Sequence, residues 1–414
     1  MMQALYSRSP KSVEEHVQKV KETGSGKFME SFYIGYGHAS IADCGSTTLF
    51  IEGVSVLGAK AIQDWPLYSG QETSTRYIDM SQQAVYDPVK TKTSQAILKR
   101  WMDFYTSSGP VVEEFLREKY PRHDTEDEKI YNKAIRARSF DILRGFLPAG
   151  ITTQLSWHTN LRQAWDKISV LRHHPLEEVR EIADTLWGKL KKKYSHSFSH
   201  PLFPEQEAYR EAVFRKYTYF SPKKFSHRFH STHTLTNKSL LPYRDLVKKR
   251  PIKTNLPFFM RELGTSTFEF VLDFGSFRDL QRHRASIYQM PLLTTRYGFH
   301  AWYMNQLPES LKRKALQLVE KQKIAIERLN VSEENRQYFI PFGFQVPCRF
   351  TFDLPAALYF IELRSGRMVH PTLRPIAHAM YLEYKKKFPL IQLHGDLGKD
   401  DWDVSRGLQD IQKI

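Results

Sequence analysis

Three basic side chains in a row, Arg282, His283 and Arg284, lie near the start of the segment LQRHRASIYQMPLLTTRY at 280–297. They follow FEFVLDFGSF, an apolar stretch that reads as partly buried. Adjacent cations repel, and desolvating one is unfavourable unless an anion or a hydrogen-bond acceptor compensates. The triplet reads either as a solvated basic turn or as a built anion site. A second run, Glu72, Thr73, Ser74, Thr75 and Arg76, lies in IQDWPLYSGQETSTRY at 62–77. A guanidinium beside hydroxyl donors is what a phosphate monoester accepts hydrogen bonds from. Two more arginines stand at informative places: Arg144 shortly before Leu147 and Pro148, and Arg364 closing AALYFIELR. Each has a plain alternative. Arg76 would end a surface strand, Arg364 would cap the last carbonyls of a helix, and the nearby pair Asn160 and Arg162 would be loop polar residues.

These runs come in pairs. IQDWPLYSGQETSTRY and LQRHRASIYQMPLLTTRY share a leading Gln and a closing Thr-Arg-Tyr, the second being two residues longer between them. Each follows a strand-like apolar stretch, STTLFIEGVSVLGAK or TSTFEFVLDFGSF. LRGFLPAG (143–150) and NRQYFIPFGF (335–344) form another pair, an Arg followed within five residues by Pro. A Leu-Arg pair introduces a helix twice: Leu176, Val179, Ile182, Leu186 and Leu190 keep helical spacing, as do Leu373, Ile376, Met380 and Tyr384. Both helices end in a lysine run, KLKKKY and YKKKF, which complements the negative C-terminal end of the helix dipole. Matched pairs in one order, roughly 190–220 residues apart, indicate an internal duplication. The expected division is 1–198 for the first copy, 199–244 for a linker and 245–414 for the second. His227, His230 and His233 recur every third residue in that linker, but no carboxylate or cysteine completes a metal set, so no metal is expected.

Composition narrows the class. With 41% hydrophobic residues in 414, the chain can build sizeable cores. Cys44 and Cys348, the only cysteines, rule out a disulfide framework and sit in no nucleophile motif. No apolar run is long enough to span a bilayer, and MMQALYSRSPKSVEEHVQ has no signal-peptide core, so a cytoplasmic protein without membrane partners is expected. The formal charge of +16 asks for an anionic partner. No nucleic-acid-binding signature accompanies it, which favours a small phosphorylated ligand.

On these residues the chain resembles the flavin-dependent thymidylate synthases. Their signature reads R-H-R-x-x-S-x-N-E-x-S-x-R-Y, after a His-x-Ser/Thr segment and an apolar strand. In the first copy His38 and Ser40 match the upstream segment, and Ser69, Gln71 (for Asn), Glu72, Ser74, Arg76 and Tyr77 fall in register. Asp64, Trp65 and Pro66 occupy the place of R-H-R. The second copy keeps Arg282, His283 and Arg284 but has Gln289, Met290, Leu292 and Leu293 where Asn, Glu and Ser belong. Downstream, Arg144 fits the family's Arg before Leu-Pro, and Asn160 and Arg162 fit its Asn-x-Arg. Arg172 reaches the helix-end arginine one residue late, whereas Arg364 is in register and Asp353-Leu354-Pro355 replaces Asn-x-Arg.

The resemblance implies an α+β fold, two degenerate tandem copies each with a mixed sheet flanked by helices. It implies conversion of dUMP to dTMP, with methylenetetrahydrofolate giving the carbon, reduced FAD the hydride, and NADPH reloading the flavin. Toward dUMP it implies Glu72, Thr73, Ser74, Thr75, Arg76, Arg144, Arg282 and Arg364, with Arg364 and Ser74 catalytic. Toward FAD it implies Ser40, Glu72, Asn160, Arg162, Arg282, His283 and Arg284. Family sites are shared between subunits of a homotetramer, and the losses in the two copies are complementary. One composite site is therefore expected to survive, in a homodimer of tandem chains. A flavoenzyme for another pyrimidine nucleotide, and a non-catalytic nucleotide- or nucleic-acid-binding descendant, remain as alternatives.

Overall fold

The computed structural model describes residues 2–24, 26, 40–198 and 200–405. The first copy runs β1 (Ser46–Ser55), α1 (Val56–Gln63), α2 (Lys92–Lys119), α3 (Glu128–Leu143), a 3₁₀ turn at Arg144–Phe146, β2 (Thr152–Asn160), α4 (Leu161–Leu171) and α5 (Glu177–Lys193). Short strands β3 (Tyr219–Phe220) and β4 (His230–His233) follow. The second copy then runs β5 (Thr265–Asp273), α6 (Phe274–Leu280), β6 (Ile287–Tyr288), β7 (Met290–Pro291), α7 (Glu309–Glu327), a 3₁₀ turn at Gln337–Phe339, β8 (Gln345–Asp353), α8 (Leu354–Arg364) and α9 (Arg374–Lys387). The repeated order strand, helix, long helix, 3₁₀ turn, strand, helix, helix makes the chain an α+β tandem duplication.

Both strand-like stretches turn into helix partway, and the reason is local. Ser55 and Asp273 are N-caps: the Ser55 hydroxyl accepts from the Gly58 N–H at 2.9 Å, and the Asp273 carboxylate accepts from the Ser276 N–H at 2.9 Å. Ser55 is itself held by the buried Glu178 carboxylate, which accepts from its N–H and hydroxyl at 2.7 and 2.5 Å. The helical spacing of Leu176, Val179, Leu186 and Leu190 in the first copy, and of Leu373, Met380 and Tyr384 in the second, becomes buried core. Lys191–Lys193 and Lys385–Lys387 occupy the last turns of α5 and α9.

Packing divides the chain into two units, residues 1–73 with 153–218 and residues 74–152 with 219–414. This partition cuts across the two copies, because α2 and α3 of the first copy pack within the second unit. In the first unit β1 and β2 form a two-stranded sheet, with Trp157, Ile62, Val56 and Ile168 buried. Isolated bridges add Ser69 and Glu72 to β2, opposite His158 and Leu155.

The second unit is built on the sheet β4–β5–β8–β6, in which β5 and β8 run antiparallel from Thr265 opposite Asp353 to Asp273 opposite Gln345. Its core is a phenylalanine stack including Phe268, Phe270, Phe277, Phe350, Phe352 and Phe360. His230 and His233 are strand residues of β4, paired with Glu269 and Ser266, so this part of the expected linker belongs to the sheet. Among the described residues no group of three His, Cys, Asp or Glu is placed to hold a metal ion. The two Arg-to-Pro turns meet inside this unit. Pro148 bridges Pro341, flanked by Ala149 N–H to Ile340 C=O at 3.0 Å and Gly343 N–H to Gly145 C=O at 2.7 Å. Glycine is required there: a Cβ on Gly343 would lie 2.3 Å from the Phe299 ring. Trp101 of α2 donates to the Phe339 carbonyl at 3.1 Å, and Gln322 of α7 donates to the Ile97 carbonyl at 2.7 Å, tying the long helices of both copies together.

Candidate functional site

In the second unit the arginines singled out in both copies converge on two aspartates, Asp141 buried and Asp279 partly so. On α3, Arg138 and Asp141 lie three residues apart, and Arg144 follows three residues later at the helix end. They form one charged stripe on an otherwise apolar face. The Asp141 carboxylate accepts two bonds from Arg76, from Nε at 2.5 Å and Nη2 at 2.7 Å. Burial alone would raise the Asp141 pKa, but Arg76, with Arg144 and Arg138 behind it, holds it below the usual range. Burial likewise opposes the charge on Arg76, and Asp141 more than restores it, so its pKa is raised. Asp279, at the end of α6, is partly buried, which would raise its pKa, yet Arg144, Arg364, Arg76 and Arg282 together bring it down to about 2. Five guanidiniums, Arg76, Arg138, Arg144, Arg282 and Arg364, thus share two carboxylates.

Secondary contacts fix these groups. Arg144 Nη2 donates to the Ser276 hydroxyl at 3.1 Å, and Thr372 lies 2.6 Å from the same oxygen. Buried His370 is 2.8 Å from the Thr372 hydroxyl. Arg278 donates to the Thr75 hydroxyl at 3.1 Å. Arg138 lies over Trp302 and Trp402, 5.1 and 5.6 Å from the ring centres. Despite this framework the buried Nε atoms of Arg138 and Arg144 have no hydrogen-bond partner among the described residues. Unsatisfied buried donors beside surplus positive charge call for an anion.

The basic triplet borders this cluster. Arg364 closes α8; its Nε donates to His283 Nε2 at 2.8 Å and its Nη2 to the Asp279 carbonyl at 2.8 Å. A cavity of about 330 Å³ is lined by Arg282, His283, Arg284 and Ser286 on one side and by Phe352, Tyr359, Leu363 and Arg364 on the other. Arg282 is 60% exposed there and lies 4.0 Å from the Asp279 carboxylate. A basic rim facing an apolar, aromatic wall fits a flavin nucleotide, which carries a diphosphate and planar rings. His283 is buried, and that burial, with Arg364 adjacent, lowers its pKa to about 3.

Ser74, Thr75, Arg76, Arg144, Arg282, His283, Arg284 and Arg364 all belong to the second unit, with Thr75 and Arg144 buried. The first unit holds Ser40, Glu72, Thr73, Asn160 and Arg162. There the Glu72 carboxylate accepts from Lys60 at 2.5 Å and from Gln63 at 3.0 Å, a pair whose side chains are only 3% and 1% exposed for Glu72 and Lys60. Glu72 and Thr73 also line a cavity of about 290 Å³ with Phe50, Gln154 and Ser156. Asn160 caps α4, accepting from the Gln163 N–H at 2.8 Å, while Arg162 pairs with Asp43 at 3.0 Å and Ser40 is exposed at the start of a short helix. His38 lies outside the described residues. Arg138, Asp141, Asp279 and Lys60 escaped sequence reasoning; the Arg-x-x-Asp-x-x-Arg spacing at 138–144 was the signal for the first two.

The positions vacated in each copy are filled from within. Lys167 donates to the Asp64 carbonyl at 2.8 Å and lies 5.6 Å from the Trp65 ring centre, and Trp65 Nε1 donates to Gln163 at 2.9 Å. Arg172 pairs with Asp184 at 3.0 Å and covers Trp187. Met290, Leu292 and Leu293 are buried core.

Residues 1–194 and 259–390 match the protein family described as "Thymidylate synthase complementing protein". A UPF0159 protein of Thermoplasma acidophilum is 26% identical over 466 aligned residues, spanning 93% of each chain. A UPF0159 protein of Chlamydia pneumoniae is 25% identical over 458, covering 97% of this chain and 85% of that one. No helix among the described residues is long and apolar enough to cross a membrane.

Proposed function

Because the chain belongs to the thymidylate synthase complementing protein family, we propose that it is a flavin-dependent thymidylate synthase, converting dUMP to dTMP with methylenetetrahydrofolate as carbon donor and NADPH as the source of reducing equivalents. The observation that carries this reading is the shared arginine cluster, five guanidiniums on two carboxylates, with two buried Nε donors unpartnered among the described residues. A nucleotide phosphate supplies the acceptors and the charge that this cluster lacks. Arg76 and Arg144 hold the phosphate, with Ser74 and Thr75 adding hydroxyl donors. Arg364 stabilises negative charge developing at uracil N3 and its flanking carbonyls, which makes the ring easier to reduce. Arg282, His283 and Arg284 hold FAD along the cavity rim. On the first unit, Glu72 and Thr73 are proposed toward dUMP, and Ser40, Glu72, Asn160 and Arg162 toward FAD. When bound, reduced FAD supplies the hydride that turns the transferred methylene into a methyl group, so folate leaves as tetrahydrofolate and the uracil C5 proton is released.

The sequence division at 1–198 and 245–414 is read as the record of the duplication. Two such tandem chains take the place of four single copies in a cytoplasmic homodimer, so light scattering should return about twice the 48.6 kDa chain mass. The decisive test begins with the absorbance spectrum of the purified or FAD-reconstituted protein. The reduced protein is then mixed anaerobically with dUMP and methylenetetrahydrofolate, and flavin oxidation and dTMP are followed together. A protein that takes up no flavin, or whose reduced flavin ignores dUMP, overturns the proposal.

A further inference from the structure

We propose that His283, beyond its place in the basic triplet, is a positioning residue that fixes the guanidinium of Arg364; the catalytic consequence rests on the reading of Arg364 given above. Arg364 spends its Nε/Nη2 edge on two acceptors of fixed position, His283 Nε2 and the Asp279 carbonyl, both at 2.8 Å. Two bonds on one edge of a planar group set its tilt as well as its place. Nη1 is left without a hydrogen-bond partner among the described residues, and so is the nitrogen available to a ligand. His283 is held in turn: it is 8% exposed and stands edge-on to Phe360, ring centres 4.7 Å apart. Accepting at Nε2 places its proton on Nδ1. The charged groups facing it are Arg364, Asp279 and Arg282; its burial, with Arg364 and Arg282, outweighs the opposing Asp279 and keeps the ring neutral, the form able to accept.

The duplication supplies an internal control. Aligning the N-caps Ser55 and Asp273 puts Trp65 in the place of His283. Aligning the N-caps Asn160 and Asp353 puts Leu171 in the place of Arg364. Histidine and arginine are present together in one copy and absent together in the other. Indole is also unable to replace it, since Trp65 Nε1 is a donor only and is committed to Gln163 at 2.9 Å.

The test uses the full-length FAD-reconstituted protein and two variants, His283→Gln, whose amide oxygen accepts but does not titrate, and His283→Leu, which cannot accept. Arginine Nε–H resonances are recorded by ¹⁵N NMR, with Arg364 assigned through Arg364→Lys. Protection of the Arg364 Nε–H from exchange should persist in wild type and His283→Gln and vanish in His283→Leu. At saturating FAD, His283→Leu should lose about a hundredfold in kcat, the scale of a misplaced transition-state donor, with the KM for dUMP moving less than about threefold. His283→Gln should recover to within about tenfold of wild type. Survival of the protected resonance in His283→Leu overturns the proposal. Should wild type show no dUMP-dependent flavin oxidation, the thymidylate synthase reading fails, while the resonance still reports whether His283 holds Arg364.

Discussion

Replacing Asp141 by Asn tests whether the arginine cluster is a desolvated anion site or a set of solvated surface charges. Asp141 is 2% exposed and forms a bidentate pair with Arg76, while Arg138 and Arg144 lie on the same helix face. The amide keeps the shape and one acceptor oxygen but removes the carboxylate that, among the described residues, is bonded to Arg76. What remains is a largely buried guanidinium beside Arg138 and Arg144, offset only by the more distant Asp279. Breaking one partner of a buried pair costs about 3–5 kcal/mol, whereas an exposed pair is worth about 0–1 kcal/mol. Asp141→Asn should therefore lower stability by about 3–5 kcal/mol, read from urea midpoints at unchanged m-value. The same arrangement predicts a rescue. Inorganic phosphate or dUMP supplies the missing negative charge, so either ligand should stabilise the variant more than it stabilises wild type. A loss under about 1 kcal/mol, or equal ligand stabilisation of both proteins, would show that the cluster is hydrated and the anion-site argument wrong.

Arg364→Ala should reduce dUMP-dependent flavin oxidation by about a hundred- to a thousandfold, as for other positioned transition-state donors. Arg172→Ala, which loses only the part-exposed contacts to Asp184 and Trp187, should cost less than about threefold; matching losses in folded proteins would mean that both copies serve a working site. Flavin should saturate at one per chain, because Lys167 and Gln163 tie down Asp64 and Trp65 where the first copy would hold a second, and a titration reaching two per chain contradicts this. Burial, with nearby cations, lowers His174 and His283 from about 6.5 to about 3. The unfolded chain then binds protons that the native state refuses, so stability is full above about pH 6.5 and falls toward pH 3 by up to about 1.4 kcal/mol per pH unit for each histidine. Urea midpoints that stay level from pH 7 to 5 would count against it.

What sequence revealed and what it hid divide along physical lines. Arg282-His283-Arg284 and Glu72 to Arg76 are contiguous, and the helices α5 and α9 announce themselves by period, so both were readable. The strand-to-helix switches at Ser55 and Asp273 depend on a single capping side chain inside an apolar run, which hydrophobic pattern does not resolve. The strand role of His230 and His233 depends on a partner, β5, far along the chain. Arg138, Asp141 and Asp279 were missed because their meaning is collective. Asp279 reads as an ordinary helix-end residue until Arg144, Arg364, Arg76 and Arg282 surround it. The partition into units was equally hidden, since nothing local says that α2 would leave its own copy to carry Trp101 against the Phe339 carbonyl.

Duplication explains how the two copies drifted apart, and packing explains why they stay apart. On the proposed composite site each copy supplies only half, which leaves its other half to be judged by stability alone. Met290, Leu292 and Leu293 moved into core, where a buried side chain of this size contributes about 1.5–3 kcal/mol. Leu171, 1% exposed, did the same in the place of Arg364. These gains act as a ratchet. Leu171→Arg would bury a guanidinium one helical turn from Lys167 on α4, adding a second positive charge there. Restoring the first copy would also need Arg-His-Arg in place of Asp64, Trp65 and Pro66, and the helix-end arginine taken alone is a buried charge brought in beside another. The asymmetry is therefore fixed by the cost of the intermediates, whatever the activity of the end state.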